Sequence, residues 1–461
     1  MADISPGQFR NLFNQRPMDP AVMMAAGRML IQQKHFAAAY HILSRAVDRD
    51  PCEEARLHFG LAQMQLSATT GQLHWLDRAR ECFTDAMNAF PESSHARKCL
   101  AIAHLEAGEF TEARLFITQS IAMEEDQPDA HFTLAQIEFL AGNWPEGWAA
   151  LDRFNRARQE ELTNGLPYRS TERSGLLVRG KGGIGDEIML ASMVPDLQAD
   201  GLDFTLMCEP RLMGLFARSF PGLRLVGPQA APESQGIVTI VGAEPAYSAE
   251  CFIASLGGEY RKTSGSFPRT PFLNADIVRC VHWRETLDAL PGKKVGIAWA
   301  GGPAMNWTRR SLTVDELVPL MQIPGVTWVT LEYLDPASSI AALQRHGINV
   351  VEFPSATRAG VDYDETAALV SELDAVVTVT TAVAHLAGAI GVRAHVMVPR
   401  VPRWWYSAAG PDHPWYGSLV LHRQDDSGRW PIEDVRTALI RDLGTGEGNE
   451  RQMLADMGVQ P

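Results

Sequence analysis

The chain has no C-x-x-C pair and no His/Cys cluster. Its six cysteines (Cys52, Cys82, Cys99, Cys208, Cys251, Cys280) lie scattered along 461 residues. That excludes a cysteine zinc site and a disulfide frame, and fits reduced, buried thiols. Positive charge is scarce: 41 Lys and Arg against 55 Asp and Glu leave a net charge of −14, with no basic block. A phosphate-backbone partner needs a basic surface, so nucleic acid is not an expected ligand. A long apolar run is missing too. The most apolar stretch, 375–398, holds His385, threonines and two glycines and is broken by Arg393. It reads as strand–helix–strand and not as a membrane span. The opening MADISPGQFRNLF lacks the basic-then-apolar pattern of a secretory signal. A cytoplasmic protein without a membrane span is expected.

A hydrophobic content of 46% supplies cores for the roughly three domains this length suggests. Small residues recur in one frame: Ala39/Leu43/Ala46, Ala79/Phe83/Ala86, Ala113/Ile117/Ser120 and Gly147/Leu151/Phe154, starting 40, 34 and 34 residues apart. Within a set the spacing places all three on one helical face. Gly27, Ala101 and Ala135 lie 12 positions before three of the sets, and Pro51 and Pro91 stop two helices. This resembles the tetratricopeptide repeat, in which small residues let paired helices touch and each pair stacks on the next. The 40-residue unit is expected to carry its extra length as a loop around 67–71. The array is expected over 1–160, with a groove for a polypeptide partner.

Residues 159–174 are polar, contain Gly-Leu-Pro, and read as a linker. Short β-rich runs then alternate with amphipathic segments: 176–178, 203–208, 223–226 and 237–241, and a second series from KVGIAWA to SLVLH. Such alternation implies parallel sheets covered on both faces. The expected fold class is therefore α plus α/β. The helical array is followed by two Rossmann-like lobes, 170–285 and 290–445, and a tail at 446–461. Ligands of open parallel sheets bind beyond the carboxyl ends of the strands.

Three strand-end loops carry candidate chemistry. Arg179-Gly-Lys-Gly-Gly-Ile-Gly-Asp-Glu187 joins a strand to a helix N-terminus and matches G-x-G-x-x-G at Gly180, Gly182 and Gly185, with Glu209 where a dinucleotide enzyme keeps its ribose acid. An oxidoreductase thus stays open, although Asp186 and Glu187 at the helix start would repel a pyrophosphate. The second loop, 300–311, combines glycines with Thr308, Arg309 and Arg310, donors suited to a phosphate. The third brings Thr380, Thr381 and Ala382 to the start of a small-residue helix, a second anion cradle, with His385 one turn inside. Val398 to Tyr406 adds basic and aromatic side chains that suit either a ligand or lobe packing. Asp362-Tyr-Asp364 matches a D-x-D metal motif but precedes a helix, so Asp364 is expected as an N-cap. No other cluster has metal-ligand spacing, and no cofactor is expected.

These motifs (Gly183–Glu187 with Pro195, Val295–Trp299 with Thr308–Leu312, and Thr381–Ala389) resemble the tetratricopeptide-repeat glycosyltransferases related to the heptosyltransferases. Gly142–Trp148, GNWPEGW, extends the likeness into the last repeat. The resemblance implies a two-lobed GT-B fold and inversion at the anomeric carbon without a bound metal. It implies Asp186 as catalytic base, Arg309 or Arg310 on the donor phosphate, and Glu332 as a donor-side acid. Thr380 stands where heptosyltransferase-like members have aspartate, a departure from an ADP-heptose donor. The layout is more similar to flagellin-modifying enzymes, whose repeats hold the acceptor and whose donors are CMP-linked nine-carbon sugars. A non-catalytic scaffold with a nucleotide-binding module remains the third reading.

Overall fold

Eight helices run from residue 20 to 157 among the described residues: α1 (Pro20–Gln32), α2 (Phe36–Arg49), α3 (Glu53–Thr70), α4 (His74–Ala89), α5 (Ser94–Ala107), α6 (Phe110–Met123), α7 (Pro128–Leu140) and α8 (Trp144–Ala157). This computed structural model describes residues 18–158, 166–180, 182–227, 247–302, 307–358, 360 and 362–444. The frame residues of α2, α4 and α6 are fully buried. Their smallness has a steric cause. A Cβ on Gly27 would lie 2.3 Å from Leu43, on Gly60 2.4 Å from Phe83, and on Gly147 2.4 Å from Phe139. Each large side chain fills the place a side chain on the neighbouring helix would take, the close packing of a tetratricopeptide-type array.

The extra residues of the 40-residue unit are helical, which corrects the expected loop at 67–71. Helix α3 continues to Thr70, the Thr69 and Thr70 hydroxyls donate back to the carbonyls of Gln65 (2.8 Å) and Leu66 (2.7 Å), and Gly71 ends it at φ +73°.

The chain divides into two compact units, one running through Ile137 with Arg309, the other from Glu138 onward. This division falls inside helix α7, ahead of the array end expected at residue 160. Helix α8 belongs with the α/β unit because its apolar side chains pack there: Trp148 lies against Gly257, and its Nε1 donates to the Arg261 carbonyl at 2.9 Å. The linker expectation also shortens. Tyr168 forms a parallel bridge with Glu250, so the chain joins a sheet edge by then. Residues 159–165 lie outside the described residues, as do the strand expected at 237–241 and the tail at 446–461.

Two all-parallel sheets follow. The front one has the order β3-β2-β1-β4, from β1 (Leu176–Arg179), β2 (Phe204–Met207), β3 (Arg224–Val226) and β4 (Ala249–Phe252). The rear one has the order β10-β9-β8-β5-β6-β7, from β5 (Lys293–Ala298), β6 (Val326–Thr330), β7 (Val350–Glu352), β8 (Ala375–Val379), β9 (Ala394–Val398) and β10 (Leu419–Arg423). Helices α9 (Ile184–Ala191), α10 (Met213–Ser219), α11 (Ile277–Asp288), α12 (Val314–Met321), α13 (Ala337–Arg345), α14 (Tyr363–Ser371), α15 (Ala382–Ile390) and α16 (Ile432–Leu443) are the main helices between and after them. The rear core gathers Val295, Ile297, Trp328, Val377 and Met397 with Val435 and Leu439 of α16. In each sheet the chain reverses its direction of growth beside the first strand, between β1 and β4 and between β5 and β8. The loops leaving β1, β5 and β8 therefore open at topological switch points.

Strand β4 has no counterpart in the sequence expectations because it carries Glu250. That carboxylate is fully buried and takes the guanidinium of Arg179 at 2.7 Å.

Gly257 tests the packing of α8. A methyl there would lie 2.6 Å from the Trp148 ring. Gly257→Ala should cost about 1–3 kcal/mol through overpacking, read as a lower Tm. Gly258→Ala, whose Cβ would meet Trp148 at an ordinary 3.4 Å, should cost less.

Candidate functional site

The crossing of α9 and α15 builds the site. A Cβ on Gly185 would lie 2.9 Å from His385 and 3.1 Å from the Cα of Ala382. The two helices can begin side by side only because residue 185 has no side chain. Their N-termini and the loop after β5 line one cleft of about 380 Å³, within the range of small-ligand sites. Gly185, Asp186, Arg310, Glu332, Thr380, Thr381, Ala382 and His385 all line it.

Asp186 sits in the first turn of α9, where its Oδ2 accepts from the Gly183 amide at 2.7 Å, which fixes the carboxylate and leaves Oδ1 without a partner among the described residues. Gly182, at φ +108°, gives it room. Burial pushes the Asp186 carboxyl upward, against the Gly183 amide and the positive charge of Arg403. Glu187 turns elsewhere: its Oε2 accepts from the Glu209 amide at 2.8 Å, and it fills the space over Gly180. Burial pushes its carboxyl up to about 7. Glu209 pairs with Arg211 at 2.9 Å and does not line the cleft. The glycine loop is thus folded around the chain's own carboxylates, which argues against a dinucleotide lying across it.

Glu332, also buried, accepts from the Trp299 and Ala300 amides at 2.6 and 2.8 Å and ties the end of β6 to that of β5. At the start of α15, Thr381 is the N-cap residue but its side chain does not cap the helix; it lies 3.0 Å from the Thr378 hydroxyl. The amides of Ala382 and Val383 therefore face the cleft without a side-chain acceptor, beside a buried Thr380 hydroxyl that has no partner among the described residues.

His385 is 3% exposed, and its Nδ1 lies 3.3 Å from the Tyr416 hydroxyl. Burial drives the imidazole down to about 3 and the phenol well upward, so both are neutral. A buried O–H is costlier to leave unpaired than a second lone pair, so Tyr416 donates to Nδ1 and Nε2 carries the imidazole proton.

Among the described residues, four arginines line the cleft. Arg211 pairs with Glu209, and Arg358 with Glu352 at 2.8 Å. Arg310 donates to the Gly301 carbonyl; among the described residues, neither Arg310 nor Arg403 has an ion-pair partner. Burial and the charge of Arg403 push the Arg310 guanidinium downward from its ordinary range. The excess positive charge and the open helix N-terminus fit an anion, above all a phosphate.

One expected site residue, Arg309, is held away from the cleft lining, and one lies outside the described side chains. Arg309 is held by the Ser67 hydroxyl and lies 3.5 Å from Glu106, so of the arginine pair only Arg310 lines the cleft. The side chain of Thr308 lies outside the described residues. Asp362, and not Asp364, caps α14, accepting from the Asp364 amide at 3.1 Å, while buried Asp364 pairs with Arg218. The D-x-D spacing therefore serves a cap and an ion pair. Arg403 and Trp405 are cleft residues that the sequence expectations held only within the run 398–406, without singling them out. The basic–aromatic run at 398–406 was their only signal, and it does not tell which side chains face a ligand.

No family model matches the chain. It is 29% identical over 381 residues to Protein FlbA of Caulobacter vibrioides, a match covering 77% of this chain and 63% of that protein's length. Solved structures similar to it include TTC0263, a tetratricopeptide-repeat protein of Thermus thermophilus (18% identity, TM-score 0.32, 34% of this chain and 82% of that one). PilW, a type IV pilus biogenesis factor, is another (14%, TM-score 0.31, 42% and 77%). Among the described residues, no helix is long and apolar enough to cross a membrane, and no three His, Cys, Asp or Glu side chains are grouped to hold a metal ion.

Glu187 gives a pH signature. Its folded-state pKa of about 7 exceeds the ordinary 4.5, so the folded chain holds that proton more tightly than the unfolded one. Stability from this group is full below pH 4.5 and is lost as pH rises through 7. Glu187→Gln should flatten the fall of stability across that window, read by denaturant unfolding at several pH values. An unchanged slope would place the titration elsewhere.

Proposed function

We propose that the chain is a cytoplasmic glycosyltransferase of GT-B type. It moves a sugar from a nucleotide-sugar donor to a Ser or Thr hydroxyl of a protein acceptor held by the helical array. The observation that carries the reading is the placement of one fixed, half-buried carboxylate, Asp186, in a cleft that an uncapped helix N-terminus and Arg310 also line. A base and an anion cradle facing one cavity are what displacement of a phosphate leaving group requires. The resemblance to flagellin-modifying enzymes names flagellin as the acceptor and a CMP-linked sugar as the donor within this proposal.

The acceptor oxygen attacks the anomeric carbon, and the bond from that carbon to the phosphate oxygen breaks with its electron pair going to the phosphate. Oδ1 of Asp186 takes the hydroxyl proton as the new bond forms, while the Gly183 amide on Oδ2 holds the carboxylate in place. Burial, which raises its proton affinity, makes it a better base at neutral pH. Charge growing on the leaving phosphate meets the amides of Ala382 and Val383, the Thr380 hydroxyl, Nε2–H of His385 and the Arg310 guanidinium. Glu332 holds the β5 and β6 ends that shape this wall.

Asp186→Asn keeps the size of the side chain and removes the basic lone pair. Transfer to the acceptor should fall by roughly 10²–10⁴ with donor affinity within a few-fold. Glu187→Gln should be mild. Wild-type transfer rates in Asp186→Asn would remove the base, and a large loss confined to Glu187→Gln would move it by one residue.

A further inference from the structure

Helix α8 touches both lobes of the cleft: Trp148 meets Gly257 and Arg261 of the front lobe and Trp404 of the rear one. The side of the cleft formed by residues 403–406 is a single turn after β9 in which neighbours alternate in placement: Arg403 and Trp405 line the cleft, while Trp404 is buried. In so short a turn, fixing one side chain fixes the direction of those beside it.

What fixes Trp404 comes from the last helix pair. Phe139, in the final turn of α7, stacks on it with centroids 4.3 Å apart and planes at 27°. Trp148 of α8 meets it edge-on at 5.7 Å, and Phe139 and Trp148 contact each other at 4.5 Å. The backbone is joined as well, because the Ala408 amide donates to the Leu140 carbonyl at 3.1 Å. Trp148 in turn seats on Gly257 and donates to the Arg261 carbonyl, both of the front lobe.

We infer that Phe139 and Trp148 are positioning residues of the cleft: through Trp404 they set Arg403 and Trp405 toward the phosphate-bearing part of the ligand. The last helix pair then backs a wall of the site through Trp404 without lining the cleft itself. The inference rests on the proposed function for the nature of the ligand, and on the aromatic contacts alone for the positioning. Rigid aromatic clusters transmit a displacement to their neighbours because packed rings have few alternative arrangements.

The test is ¹⁹F NMR on the full chain labelled with 5-fluorotryptophan, its 11 tryptophans resolved by single Trp→Phe replacements at 404 and 405. Phe139→Leu should shift the Trp405 resonance, with Phe139→Met as a gentler arm if the first does not fold. Phe83→Leu, which alters a buried ring of the second pair remote in sequence from this cluster, should leave it in place. In CMP titrations Phe139→Leu and Arg403→Gln should each weaken binding by about tenfold, and the double variant should be no weaker than Arg403→Gln alone. An unmoved Trp405 resonance, an equal shift in Phe83→Leu, or additive losses overturn the inference. If CMP does not bind the wild-type chain, the pyrimidine donor falls, and the Trp405 shift still decides the positioning.

Discussion

Everything at the cleft depends on two helices starting at almost the same point. Helices α9 and α15 approach through Gly185, Ala382 and His385, where a single added methyl at 185 would meet atoms at 2.9 and 3.1 Å. That contact brings a front-lobe carboxylate and a rear-lobe set of open amides to one cavity. The β1–β4 and β5–β8 switch points make the meeting possible, because strand-end loops open there on both sheets. The glycine at 185 is therefore a requirement of helix crossing as much as of the loop.

Charge at the cleft differs in sign from that of the chain as a whole. The net charge is −14, yet among the described residues the cleft has four arginines against Asp186 and Glu332. Two of the four are neutralised by Glu209 and Glu352, and Glu332 is occupied by backbone amides. The remaining balance is local: Arg310 and Arg403 with the α15 N-terminus, opposed by one carboxylate. Low surrounding dielectric strengthens each of these terms relative to the surface.

Much of this was legible in the sequence, for physical reasons that also mark where legibility ended. The repeat frame could be read because close helix contact forces small residues at fixed spacing. The strands of the rear lobe were readable as buried apolar runs. Strand β4 was not, since Glu250 breaks the run and only its pairing with Arg179 makes it a core residue. Asp186, Thr380 and His385 were found because loops after β-runs are few. Arg309 and Arg310 could not be separated by sequence, because their different directions are set by Ser67 and by Gly301, distant and local partners respectively. Arg403 was hidden for the reason that Trp404 matters: alternate residues of one short turn face opposite ways.

The central claim is that the cleft holds the phosphate of a nucleotide and not a dinucleotide cofactor. Thermal unfolding of the full chain with CMP, UDP, ADP, GDP and NAD tests it most directly. At 100 times its dissociation constant a ligand adds about 2.7 kcal/mol to the folded state. The account expects a pyrimidine nucleotide to raise Tm, Arg310→Gln to remove most of that rise, and NAD to have no effect. A rise with NAD alone, or a nucleotide shift indifferent to Arg310→Gln, would contradict it.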